Sequence, residues 1–224
     1  MACRFKAVIC DMDGLVLDSE PTYVLAWQQA VAALGFAVEP GFWADLSGCS
    51  GKTVSASLLD CFGGGFDIRR FQQLSADYWA AYVQENGIAV KPGFFALMDV
   101  LAQRDLPYCL ATNSPLSAAQ QCLQWAGLSQ AFSCIVAADM VTAAKPAPDI
   151  FLRAAVDLAC PIQQCLVLED SPVGIRAAVA AGAPCVFVPS FKPVDTWAAE
   201  HATYLLDDLQ QVADFISASQ DHPL

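Results

Sequence analysis

The feature that most constrains the fold is an alternation running from Lys91-Pro92-Gly93 towards the C-terminus. Apolar runs at Leu106–Thr112, Ser133–Ala137, Cys165–Leu168, Pro184–Val188 and Thr203–Leu206 predict strands. Helical patterns follow at Ser117–Ala126, Pro148–Leu158, Pro172–Ala181, Asp195–His201 and Leu209–Ser217, two of them stopped by Gly127 and Gly182. Short apolar runs bounded by turn residues are strands, and longer segments with a 3.6-residue period are helices. Alternation of apolar strands with helices demands a parallel sheet covered on both faces.

Near the N-terminus, Ala7-Val8-Ile9-Cys10 reads as one more buried strand, broken by Asp11-Met12-Asp13-Gly14. Gly14 permits a sharp turn there. Between Asp18 and Gly87 no strand is predicted. Pro21 suits a first helical turn, and Val24, Trp27, Val31 and Leu34 recur at helical spacing. Helical patterns continue over Gly41–Cys61 and Ile68–Glu85. The expected organisation is a core of residues 1–16 and 90–224, with a helical insertion of residues 17–89. Placed after the first strand, the insertion would lie over the carboxyl ends of the sheet as a lid. Tyr78, Trp79 and Tyr82 read as packing within it.

Composition narrows the function classes. Hydrophobic residues make up 56% and charged residues 15%, which is the balance of a globular chain. The net charge is −12, and no basic run extends beyond Arg69-Arg70, so a duplex-binding stripe is excluded. The longest uncharged apolar stretch, Ala177–Phe191, is interrupted by Gly182, Pro184 and Pro189 and is too short for a membrane span. No signal peptide is expected. Ten cysteines without a C-x-x-C pair predict free thiols in a reducing compartment, hence the cytoplasm.

Four polar sites each follow an apolar run: Asp11/Asp13, Thr112-Asn113-Ser114, Lys145-Pro146-Ala147-Pro148-Asp149 and Glu169-Asp170-Ser171. In a parallel sheet they converge on one rim, where open α/β sheets bind ligands. The set suits phosphoryl transfer from a monoester, which needs a nucleophile, cations and a proton for the leaving oxygen. Asp11 is the candidate nucleophile, forming an aspartyl-phosphate. Asp13 is the candidate acid and then base. Asp170, with Glu169 beside it, would hold Mg²⁺ together with Asp11 through hard oxygen ligands. Glu169 also reads as a partner behind the ligands. Lys145 is the fixed cation, and Thr112-Asn113-Ser114 the phosphate-binding stretch. Each site has a plainer reading too: Asp-x-Asp-Gly as a turn, Thr112-Asn113-Ser114 as a helix cap, and Ser171 as an N-cap. In the insertion, Ser47-Gly48-Cys49-Ser50-Gly51-Lys52 is either a substrate-reading loop, with Ser50 and Lys52 as its contacts, or an interhelical turn.

These motifs, DMDGLVLDSE at 11–20, LATNS at 110–114, KPAPD at 145–149 and LEDSPVGIRAA at 168–178, resemble the haloacid dehalogenase superfamily, in its β-phosphoglucomutase-like phosphatase branch. The resemblance implies a Rossmann-like α/β core, a small helical cap and Mg²⁺-dependent hydrolysis of a phosphomonoester through Asp11. It also implies that the backbone carbonyl of Asp13 joins the metal ligands. The substrate would be a small phosphorylated metabolite, of sugar-phosphate or nucleotide type. Monomer and weak oligomer both fit. Two departures bear on the alternative of a phosphosugar mutase. Mutases of this branch carry His where this chain has Tyr23, and Arg where it has Gly51, although Lys52 can stand in for the latter. Asp13 argues against a dehalogenase, which lacks the second aspartate. A third reading is a non-catalytic binding module on the same fold.

Overall fold

The computed structural model describes residues 5–39, 41–46 and 51–219. The chain divides into two compact units, one of Met1–Asp18 with Ala89–Leu224 and one of Ser19–Ile88.

The first unit is built on a six-stranded sheet. Its strands are β1 (Ala7–Cys10), β2 (Tyr108–Ala111), β3 (Ile135–Val136), β4 (Cys165–Glu169), β5 (Cys185–Phe187) and β6 (Tyr204–Leu205), in the spatial order β3-β2-β1-β4-β5-β6. Every pairing is parallel. Among its described residues this unit has six helices: α5 (Phe94–Gln103), α6 (Leu116–Trp125), α7 (Asp149–Asp157), α8 (Pro172–Ala181), α9 (Thr196–His201) and α10 (Leu209–Ser219). This is a Rossmann-like α/β core. The chain winds from β1 towards β3 in one direction, then restarts at β4 and winds the other way. β1 and β4 therefore flank the switch point, the crevice where such sheets bind ligands.

All four residues of β1 are buried, as a strand covered on both faces requires. Ile9, Cys109, Val136, Val167 and Cys185 share one cluster with Ile150 and Phe151 of α7 and Ile175 and Ala178 of α8. Each fully buried large side chain contributes about 1.5–3 kcal/mol. The thiols of Cys10, Cys109, Cys165 and Cys185 are buried and free. Burial pushes Cys10 up to about 12, so it acts as a small apolar side chain and not as a nucleophile.

Helix α5 is absent from the sequence expectations. Its segment, FFALMDVLAQ, is apolar nearly throughout, so no periodicity stands out. The structure separates the faces: Phe94, Leu97 and Leu101 are buried, and Phe95 is 63% exposed. Gly93 enters the helix at φ 85°, and a Cβ there would lie 2.2 Å from the Gln210 backbone nitrogen. Only glycine meets both demands.

The chain leaves and re-enters this unit through a short antiparallel ribbon. Asp18 N donates to Ala89 O at 2.8 Å and Lys91 N to Val16 O at 2.9 Å. Lys91 Nζ lies 3.6 Å from Asp18 Oδ1, a half-exposed ion pair of small energetic weight.

The second unit is helical throughout its described residues, with α1 (Glu20–Ala33), α2 (Phe42–Asp45), α3 (Gly51–Phe62) and α4 (Ile68–Asn86). A 3-10 turn occupies Gly63–Gly65, where the sequence suggests only a flexible break. Asp67 caps α4 by accepting from Arg70 N at 3.0 Å. Val31, Leu58, Phe66 and Phe71 form a core of its own. Trp79 Nε1 donates to the Thr22 hydroxyl at 2.9 Å, and the Trp79 ring stacks on Tyr23 at 4.9 Å and 5°. Gly51 and Lys52 open α3 and are not part of a loop. Ser47–Ser50, including the candidate contact Ser50, lie outside the described residues. No helix among the described residues is long and apolar enough to cross a membrane.

Candidate active site

Strand register brings the motifs together. Cys10 pairs with Leu110 on one side and Leu168 on the other. The next residues on the three strands, Asp11, Ala111 and Glu169, therefore stand level at the carboxyl rim. Asp11 N donates to Leu168 O at 3.0 Å, which carries the pairing one step past the strand end.

Lys145 is the hub. It arrives in the loop before α7 and is 7% exposed. Its Nζ donates to Asp11 Oδ1, to Glu169 Oε1 at 2.7 Å and to Ala111 O at 2.9 Å. Those three bonds use all three of its N–H groups. The ammonium also lies 4.9 Å from the centre of the Phe151 ring. Its backbone is clamped by Asn113, whose Oδ1 accepts from Lys145 N at 2.9 Å and whose Nδ2 donates to Lys145 O at 3.2 Å. Both ends of the Asn113 amide are thus committed to the lysine loop.

Glu169 is fully buried. One oxygen takes Lys145, and the other takes the Ser171 backbone N–H at 3.0 Å and the Ser171 hydroxyl at 2.9 Å. Ser171 also caps α8, accepting from Gly174 N at 3.1 Å. Gly174 is where Glu169 finds its space, since a Cβ there would sit 1.8 Å from the carboxyl.

Asp11, Glu169 and Asp170 offer oxygens within 4.8 Å of one another, all from buried residues. One ammonium faces three carboxylates. Burial is the largest influence and raises Asp11 well above the usual carboxylate range; Lys145 opposes it, and Glu169 and Asp170 add to it. Asp170 is pushed up to about 8, by burial first and Glu169 second. For Lys145, burial acts downwards, but Asp11 and Glu169 outweigh it and hold the ammonium above its ordinary range. A cluster of this kind lacks positive charge. Asp11 gives one oxygen to Lys145 and Asp170 one to Ser190, so each has a second to offer a hard cation. The donor set therefore fits Mg²⁺.

Asp13 is half-buried, with Ser114 Oγ 3.4 Å from its Oδ2. Thr112 is buried, and its hydroxyl accepts from Ser114 N at 3.0 Å, folding that stretch into a tight turn. Thr112-Asn113-Ser114 does not cap α6. Asp139 does, accepting from Leu116 N at 3.0 Å from 23 residues away. The structure thus gathers Asp11, Asp13, Thr112, Asn113, Ser114, Lys145, Glu169 and Asp170 at one rim of the first unit. Lys52 belongs to the second unit.

One polar group here was not anticipated from sequence. Ser190, in the loop after β5, approaches Asp170 Oδ2 at 2.6 Å and Gly14 O at 2.8 Å. Its single sequence signal is its place after the apolar run Pro184–Val188.

The chain is similar to known proteins in sequence and in fold. Residues 5–182 match the haloacid dehalogenase-like hydrolases. The chain is 30% identical over 187 residues to the fructose-1-phosphate phosphatase of Escherichia coli, covering 83% of this chain and 97% of that one. It is 29% identical over 209 residues to hexitol phosphatase A of the same organism, covering 93% and 94%. Its fold matches β-phosphoglucomutase from Clostridium difficile with a TM-score of 0.73 over 96% of each chain; at 23% identity this is a likeness of fold alone. A match running from the strand before Asp11 to the helix after Asp170 takes in all four motifs, and the chain belongs to the haloacid dehalogenase-like hydrolase family.

Proposed function

We propose that the chain is a phosphatase of small sugar phosphates acting through Asp11. The carrying observation is Lys145, buried and held against the nucleophile by three hydrogen bonds at the switch point. A carboxylate oxygen of Asp11 attacks phosphorus, forming the Asp11–phosphoryl bond as the ester P–O bond breaks. Asp13 gives its proton to the departing alkoxide. Water then attacks the aspartyl-phosphate, Asp13 takes its proton, and inorganic phosphate leaves with Asp11 restored. Mg²⁺, held by Asp11, the Asp13 carbonyl and Asp170, would supply positive charge to the phosphoryl oxygens. Lys145 adds a charge that needs no reorganisation during the reaction. Thr112 and Ser114 offer donors to the phosphate, Asn113 keeps Lys145 in place, and Glu169 holds Lys145 from behind. The helical unit serves as a cap excluding water, with Lys52 reading the substrate. A cytoplasmic setting belongs to the same reading.

The relatives named for fructose 1-phosphate and hexitol phosphates support a sugar phosphate as substrate. Tyr23 counts against a mutase: its ring is stacked on Trp79, and a phenol cannot take the role of an imidazole near neutral pH. The complete acid–lysine–acid cluster counts against a non-catalytic module. The test is phosphate release from hexose, hexitol, pentose and glycerol phosphates and from p-nitrophenyl phosphate, with Mg²⁺ and with EDTA. Metal-dependent release that Asp11→Asn abolishes supports the reading. Isomerisation without release, or release that survives Asp11→Asn, refutes it.

A further inference from the structure

We infer that Ser190 is a positioning residue for the metal centre, fixing Asp170 against the Asp11–Gly14 turn from a fifth loop of the sheet rim. The inference rests on the reading of Asp11 and Asp170 as cation ligands.

The four motif loops follow β1, β2, β3 and β4. The fifth loop is placed by register. Glu169 pairs with Phe187, the last residue of β5, so the chain after β5 leaves the sheet level with Asp170. Val188 N donates to Glu169 O at 2.8 Å and binds the start of this loop to the end of β4. Ser190 then stands two residues on, between the β4 end and the β1 turn.

Its contacts join the two segments that carry the cation-binding carboxylates. Ser190 Oγ is 2.6 Å from Asp170 Oδ2 and 2.8 Å from Gly14 O. Gly14 is itself pressed against Asp170. At φ 85°, a Cβ on Gly14 would lie 2.0 Å from Asp170 Oδ2 and 2.9 Å from Ser190 Oγ. Nothing but a hydrogen fits between the turn and the carboxylate, and the serine hydroxyl closes the third side of that contact. A hydroxyl has one proton to give. An ionised Asp170 is the stronger acceptor of it, and the bond then fixes which oxygen faces Ser190 and which is left to the cation. Groups that hold a ligand oxygen in this way set its orientation and tune metal affinity. None of the four motifs contains this serine.

The experiment is isothermal titration of Mg²⁺ into the metal-free full-length chain, for wild type, Ser190→Ala, Ser190→Thr and Asp170→Asn. Melting curves of the metal-free proteins accompany it. Ser190→Ala should weaken Mg²⁺ binding by about 10- to 100-fold, with the metal-free chain still folded and melting lower by no more than one lost hydrogen bond to a charged group accounts for. Ser190→Thr, which keeps the hydroxyl, should restore binding, and Asp170→Asn should abolish it. Wild-type Mg²⁺ affinity in Ser190→Ala overturns the inference while leaving the metal reading intact. So does a loss of metal-free stability with affinity unchanged, which makes the serine a loop anchor only. Absence of Mg²⁺ binding by wild type overturns the metal reading and this inference with it.

Discussion

Gly174→Ala tests the site through a sign reversal. Gly174 lies within α8, and its backbone needs no positive φ. Helix propensity alone favours alanine there by about 1 kcal/mol. The surroundings oppose it. A Cβ would stand 1.8 Å from both Cδ and Oε1 of Glu169, and 2.3 Å from Oε2. Glu169 cannot swing aside without loss, because it accepts from Lys145 Nζ at 2.7 Å, Ser171 N at 3.0 Å and Ser171 Oγ at 2.9 Å. Overpacking costs about 1–3 kcal/mol. Each hydrogen bond to a charged group that breaks adds about 1.5–3 kcal/mol. With one such bond lost and the propensity gain subtracted, the net destabilisation is about 1.5–5 kcal/mol. For a chain of this length that lowers the melting temperature by about 3–20 °C. Calorimetry follows the change and separates the sheet unit should the two units melt apart. Activity should fall with stability, because displacing Glu169 releases Lys145 from one of its three partners. Gly51→Ala is the control, since it opens α3 and nothing lies within 4 Å of its Cβ position, and it should be at least as stable as wild type. A Gly174→Ala chain that melts at or above the wild-type temperature and keeps its turnover would refute the reasoning.

Other outcomes follow from the same geometry. Lys145→Met should lower kcat by about 100-fold or more and destabilise the fold by about 3–5 kcal/mol, read by steady-state kinetics and urea denaturation. Relief of that destabilisation at acid pH, as the stranded carboxyls take up protons, is part of the expectation. In the metal-free chain Asp170 has its value raised above that of the unfolded chain to about 8, so the folded state binds the extra proton. Its contribution to stability is then full in acid and lost as the pH rises through about 8. Melting temperature in EDTA should fall over that range. Mg²⁺ affinity, measured by titration at each pH, should climb, because the cation competes with the proton. Lys52→Ala should raise KM for sugar phosphates and leave p-nitrophenyl phosphate turnover unchanged; equal KM values would remove Lys52 from substrate recognition.

The sheet was legible because its strands are short, uniformly apolar and spaced by helices, and four of them deliver polar residues to one rim. That is a local signal repeated. What escaped was long-range. α5 hides in an unbroken apolar segment whose buried and exposed faces are distinguished only by what packs on them. Asp139 caps α6 from another loop, a role that Thr112-Asn113-Ser114 could claim from sequence position alone. Within the stretch read as phosphate-binding, the Asn113 side-chain amide is turned onto the Lys145 backbone, a contact 32 residues away in sequence. Ser190 carries no motif, and its meaning depends on the register of β5 against β4. Residue types announce chemistry, but which donor meets which acceptor is decided by strand register.

The ribbon through which the chain leaves and re-enters the sheet unit has an evolutionary consequence. Asp18 and Ala89 are hydrogen-bonded neighbours, although 70 residues are enclosed between them. To the sheet, the inserted segment is a loop whose ends meet at the width of one hydrogen bond, and the entropy of closing such a loop grows only slowly with its length. The sheet therefore imposes little on what the segment is. Helices can be lengthened, exchanged or replaced there without disturbing the register that assembles Asp11, Lys145 and Asp170. Selection can then revise the inserted helices while the sheet that carries the acid–lysine cluster keeps its register, so the two units are free to change at different rates.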